Sequence, residues 1–446
     1  MNARQSPLKP RSRVSRVNQT RGQPVWNSLA TNSTGPSQRR SRVLGVAFLV
    51  VLVIVQATVP WRGSNAMAQS PDSAQAKPET LQGWTPEQTL LVKRVGGVQV
   101  SPDGRQVAYS VRRAVMDRHH SHFLTHIQIA RLDGSDSRQL TQGEKSCDDM
   151  QWSPDGRWLA LISDRSGRKN LWVIPSDGGE AVQLTEMKGG VNGYKWSPDG
   201  RWLAFVALDA PTVAEELATS EKDDARVLDE HVKLNRLYLI PMQIPPKITM
   251  SPCLLTPGDF CVGGDGSRAG RSAFDWSPDA RSIAFTHVRT PSPDDWTTAN
   301  VSIVDVRSGR VRPLLDSPAA ESSPIYSPDG QSIALVVSDN PPSWGGSGRV
   351  QVVPTQGGAA RLLAATHDGF GRASEIVGWA ADATAIYFTE AHGTDLRIMS
   401  LPLDGSVPKT IHDGAGMASS GVFLNAMRTH LGWAWESHDR APEAMV

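Results

Sequence analysis

Apolar residues make up 39% of this 446-residue chain, enough for a globular core, so a wholly disordered protein is excluded. The formal charge of +1 points to no polyanionic partner, and no nucleic acid is expected. That balance hides an asymmetry: residues 1–42 carry nine Lys or Arg and no acid, leaving the remainder net acidic by about eight charges.

Residues 1–42 read as a disordered basic tail. An apolar run follows, Val43 to Val55, which reaches 18 residues if extended through Gln56 and Thr58 to Pro60. A spanning helix needs roughly 20 residues and a signal-peptide core 7–15, so this length leaves both open. Ala66-Met67-Ala68 supplies the small residues of a cleavage site. Residues 43–68 are therefore a signal peptide or a membrane anchor, and the 43–60 segment is the one expected membrane contact. Either way the basic end stays in the cytoplasm and the rest is delivered outside, periplasmic or secreted. Residues 69–83, rich in Pro, Ser and Gln, read as a linker.

At Thr85-Pro86-Glu87-Gln88 a helix should start, with a Thr cap, Pro at the first position and Gln at the third; it should run to about Arg94. Then a repeat begins. SPDGR starts at Ser101, Ser153 and Ser197, SPDAR at Ser277 and SPDGQ at Ser327; a decayed copy, WAADAT, starts at Trp379. Most copies lie about 45–50 residues apart, the length of a four-stranded propeller blade. The motif is turn chemistry: Pro presets φ, Asp bonds nearby backbone N–H groups, and Gly accepts positive φ. Trp152, Trp196 and Trp276 precede it, and short apolar strands follow, as in WLALIS and WLAFVA. A second hairpin comes next, as in the stretches from Asn170, Val301 and Val350, completing four strands.

The fold class is thus all-β, a seven-bladed β-propeller over 84–446. Six blades are marked at Ser101, Ser153, Ser197, Ser277, Ser327 and Ala380. A partial seventh starts near Gly416 and stops inside or at the end of its third strand. The 80-residue step between Ser197 and Ser277 is a blade plus an insertion, residues 212–233, fitting a charged surface helix and a loop.

Local catalytic signatures are missing. No G-x-S-x-G, phosphate loop, H-E-x-x-H or credible G-x-G-x-x-G occurs, so no catalytic residue and no cofactor is assigned. Asp117, His119, His120, His122 and His126 form a His-rich stretch, but their spacing fits no standard site and no metal is expected. The regular place of the Trp residues argues for packing between blades rather than a carbohydrate platform. Cys253 and Cys261 could pair locally; the alternative is that they and Cys147 are small buried residues. The paired acids Glu215-Glu216 either face solvent on a charged helix or bind a substrate's free amino terminus.

WTPEQTLLVKRVGGVQVSPDGRQVAYSV from Trp84, ARVLDEHVKLNRLYLIP from Ala225, FDWSPDARSIAFTHVRTPSPDDW from Phe274 and SHDRAPEAMV from Ser437 resemble the amino-terminal propeller of the prolyl oligopeptidase family. The acylaminoacyl-peptidase and dipeptidyl-peptidase branches are the nearest. TolB-like periplasmic propellers share the repeat. In that family an α/β-hydrolase domain carrying Ser, Asp and His follows, and the propeller admits only small peptides to it. The resemblance implies a non-catalytic gate whose hydrolase is missing from this chain, which ends at Val446. It makes Glu215 and Glu216 candidate contacts for a substrate amine, in an insertion comparable to the family's. The expected partner is a peptide or protein at the propeller opening, or a separate hydrolase domain. The alternative is a TolB-like extracytoplasmic scaffold for another protein.

Overall fold

Each Ser-Pro-Asp-Gly copy folds into the same turn in the computed structural model. In the first, Ser101 Oγ donates to Asp103 at 2.6 Å and accepts the N–H groups of Arg105 and Gln106 at 3.2 and 3.0 Å. Gly104 closes the turn at φ +70°, a left-handed conformation that L side chains resist. The turn joins β1 (Arg94–Val100) to β2 (Gln106–Met116), and β3 (Ser121–Arg131) and β4 (Arg138–Gln139) complete an antiparallel sheet in the order β1-β2-β3-β4.

The structure describes residues 85–446 apart from 118, 120, 224–231, 243–250, 264–270, 316, 371–373, 414–416, 419–420 and 439. The basic tail, the apolar run and the whole linker lie outside the described residues. No helix among those described is long and apolar enough to cross a membrane.

The pattern of blade one repeats six times around a ring. Innermost strands are Cys147–Trp152 in blade two, Val191–Trp196 in blade three, Glu321–Tyr326 in blade five and Glu375–Trp379 in blade six. Blade four has an interrupted innermost strand, Cys261–Val262 then Phe274–Trp276, both pairing with Ser282–Val288. Blade seven is built alike: Met417–Ala418 and Phe423–Leu424 pair with Leu431–Ser437, and Arg440–Met445 is its third strand. Among the described residues no fourth strand pairs with the outer edge of Arg440–Met445. Among the described residues the last blade is thus three strands deep.

Neighbouring blades share cores. Ile127 and Ile129 of blade one meet Met150, Trp152, Leu159 and Leu161 of blade two, all buried. Each such large side chain contributes roughly 1.5–3 kcal/mol relative to exposure. In four blades a Trp precedes the turn and adds one directed bond: Nε1 of Trp152, Trp196, Trp276 and Trp379 donates to the carbonyl of Gln99, Gln151, Lys195 and Ile325, each in the preceding blade. The Trp residues are inter-blade packing groups, as their spacing indicated.

Two helices flank this ring. The first, α1 (Pro86–Leu91), carries the capping box between Thr85 and Gln88. It stops at Leu91, short of the expected Arg94, because Val92 is extended and Arg94 already pairs with Arg112 in the blade-one ladder. The second, α2 (Val213–Ser220), lies in the blade-three insertion and buries no side chain.

Candidate functional site: the central channel

In the innermost strands the Trp side chain turns into the blade, so the residue before it faces the axis. That position holds Gln99, Gln151, Lys195, Asp275, Ile325, Gly378 and Phe423 in blade order, and these residues line the channel. Bulges between Gly96 and Gln99, Asp148 and Gln151, Ser322 and Ile325, and Ile376 and Gly378 interrupt the ladders. Gly97, Asp149 and Ser323 adopt φ of +52° to +57° at three of them. Such bulges re-aim side chains on the strands that line the channel.

The cavity has a volume of about 1010 Å³. Its wide mouth carries Asp148, Asp149, Asp164 and Glu375 against Arg112 and Lys169. Arg112 lies over the Phe123 ring, 4.0 Å from its centroid.

Towards the turns the channel narrows to a recess of about 210 Å³, lined in part by Lys195, Asp275, Trp379, Asn425 and Arg428. Lys195 Nζ and Asp275 Oδ1 are 2.9 Å apart, and Asp275 Oδ2 accepts the Tyr326 N–H at 2.9 Å. Arg428 Nη1 donates to the Trp379 carbonyl at 3.0 Å. Burial lowers the pKa of this guanidinium, and the charge of Asp275 works in the opposite direction.

Glu215, Glu216, the described histidines of the His-rich stretch and the three cysteines do not line this channel. Glu215 Oε2 meets Lys233 Nζ at 2.8 Å and Glu216 Oε1 meets Lys188 Nζ at 3.1 Å, both on α2. Lys233 and the Thr212 cap pull the Glu215 pKa down to about 2. The His-rich stretch is divided. His119 and His122 are exposed beside the β2–β3 connection, whereas buried His126 reaches the Gly143 carbonyl at 3.1 Å and Thr141 Oγ1 at 3.3 Å. His120 lies outside the described residues. Cys147, Cys253 and Cys261 are all free, with Cys253 exposed and the other two buried, so the local pair is not formed. The Ser hydroxyls of the turns hold Asp103, Asp279 and Asp329 below the usual carboxylate range, which fits turn-building and not proton transfer near neutrality.

Sequence reasoning missed Lys195, Asp275, Glu375 and Arg428. For the first two a signal existed, since each stands immediately before a blade Trp.

A family model described as the Dipeptidyl peptidase IV (DPP IV) N-terminal region matches residues 101–238, within the first three blades. Dipeptidyl-peptidase 5 of Porphyromonas gingivalis is 25% identical over 377 residues, which cover 79% of this chain and 52% of that protein. Acylaminoacyl peptidase of Pyrococcus horikoshii superposes with a TM-score of 0.56 at 16% identity, over 80% of this chain and 52% of that one. The propeller resembles the amino-terminal propellers of these peptidases in sequence and in fold. A prolyl endopeptidase structure agrees in fold, with a TM-score of 0.54 at 13% identity over 80% of this chain and 48% of that one. The chain spans about half the length of these relatives.

Proposed function

We propose that this prolyl oligopeptidase-family propeller is a gate: it admits short peptides to a serine-hydrolase active site and breaks no bond itself. One observation carries the reading. The seven innermost strands enclose a channel of about 1010 Å³ with charged groups at both ends, roomy for an extended peptide and far too small for a folded protein. The bond-breaking step is assigned to the family's hydrolase domain and to none of the propeller residues. The basic tail and apolar run of residues 1–60 support an extracytoplasmic place of work.

Two measurements on the full chain test this. Chromogenic dipeptide anilides should not be turned over, and peptides of a few residues should bind while a folded protein does not. Turnover by this chain would refute the non-catalytic reading, and equal binding of a folded protein would refute the size filter.

A second reading, an interaction scaffold, draws support from the outer edge of Arg440–Met445, with which no strand pairs among the described residues, because exposed strand edges accept strands from other chains. It requires a partner protein that competes with a strand peptide for that edge.

A further inference from the structure

Blade seven has its own copy of the turn, hidden in Asn425-Ala426-Met427-Arg428. The Asn425 N–H donates to the His430 carbonyl and the Arg428 N–H to the Asn425 carbonyl, the pattern of Ser153 with Trp158 and Gly156 with Ser153. Asn425 Oδ1 accepts the N–H groups of Thr429 and His430, the task of Ser101 Oγ in blade one. Arg428 consequently occupies the left-handed position, at φ +56°, which Gly or Ala fills in the other six turns. A long side chain at that position is strained, and such strain persists where the surroundings or a function hold it.

The arginine's surroundings are specific. Its guanidinium passes beside Gly378, where an added Cβ would sit in ordinary contact with Nη1 at 3.8 Å and crowd Leu424 Cδ2 at 3.0 Å. Among the described residues no carboxylate stands within ion-pair distance of it, and its one bond given above goes to a neutral carbonyl. Asp275 is already engaged by Lys195 and the Tyr326 N–H. The narrow recess therefore holds two cations and one acid, while four acids face two bases at the wide mouth.

We propose that Arg428 is a carboxylate anchor at the narrow, turn-side end of the channel, holding the C-terminal carboxylate of a short peptide whose amine faces Glu375 and the Asp148-Asp149 pair at the mouth. The guanidinium fork suits a carboxylate in two-point contact, and the opposite charge at the mouth fixes the direction of the peptide. This rests on the reading of the channel as a peptide conduit and adds polarity and an anchoring residue to it.

The test is calorimetric titration of the full chain at pH 7 with the tripeptide Gly-Phe-Ala and with its C-terminal amide. The free acid should bind roughly ten- to a hundredfold more tightly, the range for a hydrogen bond to a charged group. Arg428→Gly installs the residue of the other turns, and Arg428→Lys keeps the charge without the fork. Both should erase the acid–amide difference, with folding checked by circular dichroism. Equal binding of acid and amide, binding of neither, or an unchanged difference in both variants would overturn the proposal. If a folded protein also binds while the acid–amide difference persists, the size filter fails and the anchor stands.

Discussion

The turn of blade two and the turn of blade seven share a backbone and almost nothing else. In blade two the turn is self-sufficient: Ser153 Oγ donates to Asp155 and accepts the Trp158 N–H, and an added Cβ on Gly156 would meet Pro102 only at an ordinary 3.7 Å. In blade seven Asn425 replaces the serine and extends beyond the turn, donating Nδ2 to the Ser101 carbonyl of blade one at 3.3 Å. Opposite it, an added Cβ on Gly104 would come within 2.9 Å of the His430 ring, which would have to move aside. A repeat inside the ring need only fold itself. The repeat at the seam must also grip the first blade, and its sequence is spent on that.

Side-chain replacements should separate the two cases, beginning with the largest effect. Gly104→Val combines a β-branched residue at positive φ with a clash against His430 and should cost about 3 kcal/mol or more. Gly156→Val carries the backbone strain alone and should melt clearly higher than Gly104→Val. If the two melt together, the seam contact is worth nothing.

Acid should weaken a blade remote from the seam by nearly as much. His287 in blade four is packed against Phe260 and Phe285 and bonded to Ser302, and burial lowers its pKa to about 4. The unfolded chain takes up this proton near pH 6.5 and the folded chain does not, so stability present above pH 6.5 is lost as pH falls towards 4. The loss is on the order of 3 kcal/mol at the low end. Denaturant melts of wild type and His287→Phe across that window should diverge, with the variant the flatter of the two. Parallel curves would show that His287 does not carry this dependence.

Asn425→Ala should cost about 2–3 kcal/mol, because it strips the acceptor from two N–H groups and the donor from the blade-one carbonyl. Ser153→Ala, the same deletion in a self-contained turn, should cost about 1 kcal/mol. Hydrogen exchange should localise the first loss to blades one and seven together and the second to blade two alone. Protection lost only in blade seven of Asn425→Ala would break the comparison.

Much of this architecture was legible because Ser, Pro, Asp and Gly advertise a turn in their own covalent chemistry. The Trp residues were legible too, since one fixed place in every repeat has one fixed neighbour. The seventh turn was not, because Asn-Ala-Met-Arg carries neither the Pro nor the Gly that makes a turn visible. Its one trace is distance, about 45 residues beyond Ala380. The channel was illegible for a different reason. Which residues face the axis depends on strand alternation interrupted by bulges, and a bulge such as that at Asp149 leaves no mark in a sequence read alone. Conspicuous acids such as Glu215 and Glu216 drew notice by their clustering, yet lysines engage them on an exposed helix, while solitary Asp275 and Arg428 line the same recess.

The indole bonds between blades all point one way along the chain. Trp152, Trp196, Trp276 and Trp379 each reach back to a blade that precedes their own, and Arg428 reaches back to Trp379. That is the direction of synthesis. As the chain leaves the ribosome, every blade from the second onward finds its docking surface already made. Only blade one must wait, its inner turn unclaimed until Asn425, 324 residues later, arrives to take the Ser101 carbonyl. The nascent ring is therefore an open arc growing at one end, and the last contact to form is the one that turns it into a closed channel.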